Sequence, residues 1–150
     1  MKKHLRPVNL ILLIIMVFAA LGISGCGNDD AQHTDREAML LDTIKAAPES
    51  VRQAYRFAVE HPEILAYQPC YCGCGAMGHT SNLDCFVREI RSDGSINYDS
   101  HALGCGICVD IAQDVMRLTN EGLSQPDIRT YIDNKYSPFG PSTDTPFPQA

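Results

Sequence analysis

Positive charge is in short supply along this 150-residue chain: twelve Lys and Arg stand against eighteen Asp and Glu, for a formal net charge of −6. Such a surface repels phosphate backbones and anionic headgroups, so nucleic acid is not a partner and charge alone does not hold the chain to a membrane. Glycine-rich phosphate loops and any Ser-His-Asp set are also missing, and the carboxylates are scattered rather than paired. Nucleotide binding, acyl transfer and general acid–base catalysis therefore lack their residues. There is no internal repeat, and no βαβ pattern of the thioredoxin type surrounds the Cys-x-x-Cys at Cys105 and Cys108. The apolar run at residues 8–21 is broken by Asn9 and falls short of the roughly 20 residues of a membrane-spanning helix.

That run follows Met1-Lys2-Lys3-His4-Leu5-Arg6, and a basic start before a short apolar core reads as an export signal. Its end, Leu21-Gly22-Ile23-Ser24-Gly25-Cys26, resembles the lipobox of bacterial lipoproteins. The resemblance implies a diacylglycerol on the Cys26 thiol, removal of a signal peptide at 1–25, and attachment to the outer face of the cytoplasmic membrane. Removal would leave 125 residues, enough for one compact domain, and the loss of Lys2, Lys3 and Arg6 takes the charge from −6 to −9. Lipid, not charge, would then anchor the protein. Residues 26–34 are polar and aperiodic, a lipidated tether reaching about 16 Å as flexible coil. A Cys-rich helical domain is expected over 35–136. Prolines at 138, 141, 146 and 148 make 137–150 a disordered, extended tail with at most one aromatic tucked back.

Within the domain the pattern is mostly helical. A weak helix is expected around 35–46. Val51, Ala54, Tyr55 and Ala58 fall at i, i+3, i+4 and i+7, on one face of a helix that Pro62 stops. Leu83, Phe86, Val87 and Ile90 repeat the spacing behind a Ser81 cap with Asp84 three residues on, predicting another helix with Cys85 in its first turn. Asp93-Gly94 marks a turn, and Ile96-Asn97-Tyr98 reads as one short strand, with a hairpin as the alternative. A helix over about 107–121 ends at Gly122, and Ser124-Gln125-Pro126-Asp127 opens the last one, with Ile128, Tyr131, Ile132 and Lys135 on one side. The fold class is a small helical bundle carrying a Cys-rich loop.

Six cysteines remain once Cys26 is assigned to lipid. In Cys70-Tyr71-Cys72-Gly73-Cys74 alternate residues of an extended chain point the same way, and Gly73 and Gly75 let the backbone bend around a common point. Tyr71 between them is expected to fill the core. Cys105 and Cys108 open a helix near its positive end. Three chemistries suit this set. Converging thiolates of Cys70, Cys72, Cys74, Cys85, Cys105 and Cys108, with Met77, His79 and His101 as auxiliary ligands, favour soft Cu(I) or borderline Zn(II), held for sequestration or for transfer to a receiving protein. Cys105 and Cys108 alone could exchange disulfides with a redox partner, the one enzymatic activity the residues support. Three structural disulfides are the third reading, although closely alternating cysteines are poorly placed to bridge one another.

Pro69-Cys70-Tyr71-Cys72-Gly73-Cys74 is the motif of the bacterial PCYCGC lipoproteins, which the chain resembles over most of its mature length. The likeness runs from residues 48–55 through Ser81-Asn82-Leu83-Asp84-Cys85-Phe86 to Cys105-Gly106-Ile107-Cys108-Val109-Asp110. The stretch 116–136, with Glu121-Gly122-Leu123-Ser124 and Asp127-Ile128-Arg129 before Tyr136, is similar to the helical thiol oxidoreductases of cytochrome c maturation. That likeness implies thiol–disulfide exchange in metalloprotein or cytochrome assembly. This chain departs from them by placing its Cys-x-x-Cys late and adding four further cysteines.

Overall fold

Apolar residues at helical spacing need a second surface to cover them, and here the helices cover one another. The computed structural model describes residues 29–149. The signal peptide expected at 1–25, the expected lipidation position Cys26, and residues 27 and 28 of the expected tether lie outside them. The chain separates after Arg36, and Glu37–Ala150 forms a unit of its own. Six helices and one two-stranded hairpin occur among the described residues: α1 (Asp29–Ala46), α2 (Glu49–Glu60), α3 (Pro62–Leu65), β1 (Val87–Ile90), β2 (Ile96–Tyr98), α4 (His101–Gly104), α5 (Gly106–Asn120) and α6 (Gln125–Tyr136). None of these helices is long and apolar enough to cross a membrane. The first begins at Asp29, six residues before the expected start.

Helix α2 buries Ala54, Tyr55, Phe57 and Ala58 against α5, which buries Cys108, Val109, Ile111, Ala112, Val115 and Leu118. Pro62 ends α2 as expected, then serves as the first residue of α3, with His61 joining the two. At the far end of α5, Gly122 takes φ +83°. Its N–H reaches the Thr119 carbonyl at 3.0 Å and Leu123 N–H reaches that of Leu118 at 3.1 Å. These two bonds close the helix in a left-handed glycine cap. The Ser124 hydroxyl then accepts the Asp127 N–H and turns the chain into α6, which lays Ile128, Ile132 and Tyr136 on the core.

Residues 83–90 overturn the helix expected there. Only one 3₁₀ turn forms, at Leu83–Cys85, and the chain then enters β1. The Asp84 carboxylate, rather than a Ser81 cap, organises the turn by accepting the N–H groups of Thr80 and Ser81 and the Thr80 hydroxyl. The physical reason is β2. A lone strand leaves its ladder unpaired, and the Asp93-Gly94 turn, with Gly94 at φ +85°, folds Val87–Ile90 back onto Ile96–Tyr98 in antiparallel register. Phe86 is fully buried beside Tyr55, their ring centroids 5.1 Å apart at 85°.

The tail opens on a 3₁₀ turn at Ser137–Phe139, against the extended run expected from its first proline, and is irregular beyond it, but it is not free. Thr143 and Thr145 are buried, and Arg129 donates to the carbonyls of Tyr67, Thr145 and Pro146. Its guanidinium also lies over the Phe147 ring, 5.4 Å from the centroid. The expectation of a disordered C-terminal tail missed these threonines because proline content alone says nothing about the polar groups between the prolines.

Candidate metal centre

The Cys70–Cys74 loop, the 3₁₀ turn at Leu83–Cys85 and the start of α5 meet on one side of the core. Gly73, at φ +84°, bends the loop as its position suggested, so that Cys74 opens a second 3₁₀ turn instead of continuing an extended run. Two anchors hold this loop. The Cys70 N–H donates to Thr143 Oγ1 and the Thr143 N–H donates to the Cys70 carbonyl, both at 2.9 Å. Further on, the Thr145 hydroxyl donates to the Thr80 carbonyl, and the Asn82 amide ties the loop to α5 by donating to the Cys108 carbonyl at 3.2 Å.

All six cysteines of the domain are free thiols. The sulfur of Cys70 lies 3.4 Å from Cys72 and 3.3 Å from Cys108, Cys72 lies 3.6 Å from Cys108, and Cys74 lies 3.7 Å from Cys85. These separations far exceed the roughly 2.05 Å of a disulfide. They are close to the edge of a thiolate tetrahedron around zinc, about 3.8 Å for metal–sulfur bonds of about 2.3 Å. Imidazoles close the nest on two sides, with His101 Nε2 3.3 Å from the Cys72 sulfur and His79 Nδ1 3.4 Å from that of Cys85. Ligand atoms lie within 4.8 Å of one another in four overlapping sets: Cys72, His101, Cys105 and Cys108; Cys70, Cys72 and Cys74; Cys70, Cys85 and Cys108; Cys74, Cys85 and His101.

Thus every cysteine singled out in the sequence enters a set, as does His101, while His79 touches the nest through Cys85. Met77 is 59% exposed. Tyr71 turns away into the core and donates its hydroxyl to Asp133 at 2.7 Å. One residue escaped the sequence reading. Asp99, buried, accepts from His101 N–H at 2.7 Å and from Arg88 Nε at 2.8 Å, and its Oδ2 lies 3.9 Å from His79 Nε2. A carboxylate on the far side of an imidazole helps to fix the ring's orientation. Only its place two residues before His101 hinted at this.

The electrostatics of the nest are those of crowded thiols. Hydrogen bonds from the Cys108 and Cys85 thiols hold Cys70 far below the usual thiol range. The same contacts with Cys70 and Cys85, together with burial, push Cys108 up. Burial and the neighbouring Cys70 charge push Cys72 and Cys74 up as well. For Cys85 the Cys108 contact lowers the value, but its bond to Cys70 and burial outweigh it, and the net shift is upward. Among these five sulfurs the charged form is favoured on Cys70 and disfavoured on the other four. Among the described residues no Lys or Arg hydrogen-bonds to any of these sulfurs. Further thiolates require a cation from outside.

No curated protein and no solved structure matches the chain. A family model described as "protein of unknown function with PCYCGC motif" matches residues 14–148, most of the chain's length. Since that match takes in the loop, the 3₁₀ turn and the helix start that build the nest, the chain belongs to the PCYCGC family.

Proposed function

We propose that the protein is a lipoprotein, anchored through diacylglycerol on Cys26 to the outer face of a bacterial cytoplasmic membrane, that binds a soft metal ion there. Cu(I) or Zn(II) is held for sequestration or for transfer to a receiving protein. The observation that carries this reading is the convergence of six unbridged sulfurs and two imidazoles in one nest where, among the described residues, no cationic side chain bonds to the sulfurs. Thiolates and imidazoles select soft and borderline ions over magnesium or calcium. The decisive measurement is a thiol count and metal analysis on protein taken from the cell envelope without reductant. Bound copper or zinc, with about six titratable thiols once it is stripped, is the expected result. Three disulfides and no metal would sink the proposal.

Thiol–disulfide exchange is the second reading, and one observation favours it: Cys105, partly exposed, caps α5 while Cys108 lies buried one turn on. Replacing both cysteines would abolish insulin reduction by an exchange catalyst, whereas a metal protein shows no such turnover to lose. For the anchor, Cys26→Ala is expected to give unprocessed or released protein. Membrane-bound Cys26→Ala protein at mature size would refute lipidation.

A further inference from the structure

We propose that the nest holds two Cu(I) ions in unlike positions, an outer exchangeable one and an inner trapped one, joined through the Cys108 sulfur. The inference rests on the metal-binding reading above and adds capacity and route. Six sulfurs and two imidazoles are more donors than the four that one ion takes. A single ion on Cys72, His101, Cys105 and Cys108 would leave the buried sulfurs of Cys70 and Cys85 without a metal.

Two of the ligand sets divide the donors by exposure. Cys72, His101 and Cys105 are partly exposed, and with buried Cys108 they make a Cys₃His set reached from solvent. Cys70, Cys85 and Cys108 are 0–1% exposed and all sulfur. Cu(I) accepts three thiolates without a fourth ligand, which Zn(II) does not in a closed site. These two sets share only Cys108. A thiolate has lone pairs for two metal ions, so this one sulfur can bridge both positions. Inward passage then needs only local ligand exchange: the Cys108 sulfur stays bound while Cys72 yields to Cys70, 3.4 Å away. Each thiol that becomes a ligand releases its proton to solvent, and copper remains Cu(I) throughout.

The test is anaerobic titration of the reduced, membrane-extracted protein with Cu(I) in acetonitrile. Native mass spectrometry counts the ions, and a Cu(I) chelator follows their release. Wild type should bind two, one released at least ten-fold faster than the other. The paired replacement Cys72→Ser with Cys105→Ser, which leaves the outer position only His101 and the shared Cys108, should bind one, the slow one; Cys85→Ala, checked for native circular dichroism, should bind one, the fast one. If Cys85→Ala does not fold, the paired variant and the two release rates still decide. Saturation at one ion, at more than two, equal release rates, or a paired variant that keeps both ions or loses both would each overturn the two-position proposal while leaving metal binding intact. No bound copper or zinc under any condition would overturn both.

Discussion

Cys108 is the donor on which the nest turns. Its sulfur is 3.3 Å from Cys70 and 3.6 Å from Cys72, and it is the one donor shared by the solvent-reached set of Cys72, His101 and Cys105 and the buried set of Cys70 and Cys85. Cys108→Ser is accordingly expected to reduce metal capacity more than any other single cysteine replacement, as metal analysis of the six variants would show. The titration of the thiols gives a second prediction. Cys72, Cys74, Cys85 and Cys108 are pushed up, and Cys70 is pushed down, so of these five only Cys70 favours the thiolate in the metal-free nest. An ion taking Cys70, Cys85 and Cys108 displaces the two protons held by the latter pair. Because the protons belong to the metal-free state, raising the pH favours the loaded one. Affinity should rise about 100-fold per pH unit near neutrality and fall by the same factor in the other direction. Chelator competition between about pH 6.5 and 7.5 measures the slope. A pH-independent affinity would show that the thiols are ionised before the metal arrives.

Individual elements differ in how much of their shape the sequence discloses. Helices α2, α5 and α6 were legible because each carries both an apolar stripe and a stop or start signal: Pro62, Gly122 and Ser124. Residues 83–90 carry a helical stripe too, but their partner strand lies beyond the Asp93-Gly94 turn, and non-local pairing leaves no mark on local periodicity. The thiol cluster was legible as a set of ligand types; its shape was not, since it depends on α5 approaching a loop 38 residues earlier in the chain. The same holds for the tail, whose Thr143 locks Cys70 from 73 residues away. Thr143→Val keeps the shape and removes the acceptor, stranding the buried Cys70 N–H, and should cost about 1–3 kcal/mol of stability. Thr143→Ser should recover most of it. Urea unfolding of the three proteins checks this, and an unchanged Thr143→Val midpoint would mean the tail does not brace the loop.

At the scale of the whole molecule, the nest joins the Cys70–Cys74 loop, the Leu83–Cys85 turn and the head of α5. An ion that takes ligands from all three links distant segments, so its binding energy becomes folding energy. Chelation should then lower the melting point. A ligand at about a hundred times its dissociation constant stabilises the native state by roughly 2.7 kcal/mol. With an unfolding entropy of about 2.1 cal/mol/K per residue, a unit the size of Glu37–Ala150 would lose roughly 10 °C. Replacing the loop cysteines, Cys70, Cys72 and Cys74, or the helix pair, Cys105 and Cys108, should erase most of that shift, because half the donors cannot bridge the segments. Structural disulfides behave in the opposite way: reductant removes their constraint on the unfolded chain, and chelator leaves it in place. Thermal unfolding with a strong Cu(I) or Zn(II) chelator, beside a second sample with reductant alone, separates the two. A melting point lowered by reductant and indifferent to chelator would assign the six cysteines to disulfides. One lowered by chelator and restored by adding back the metal identifies the ion as the element that closes the fold.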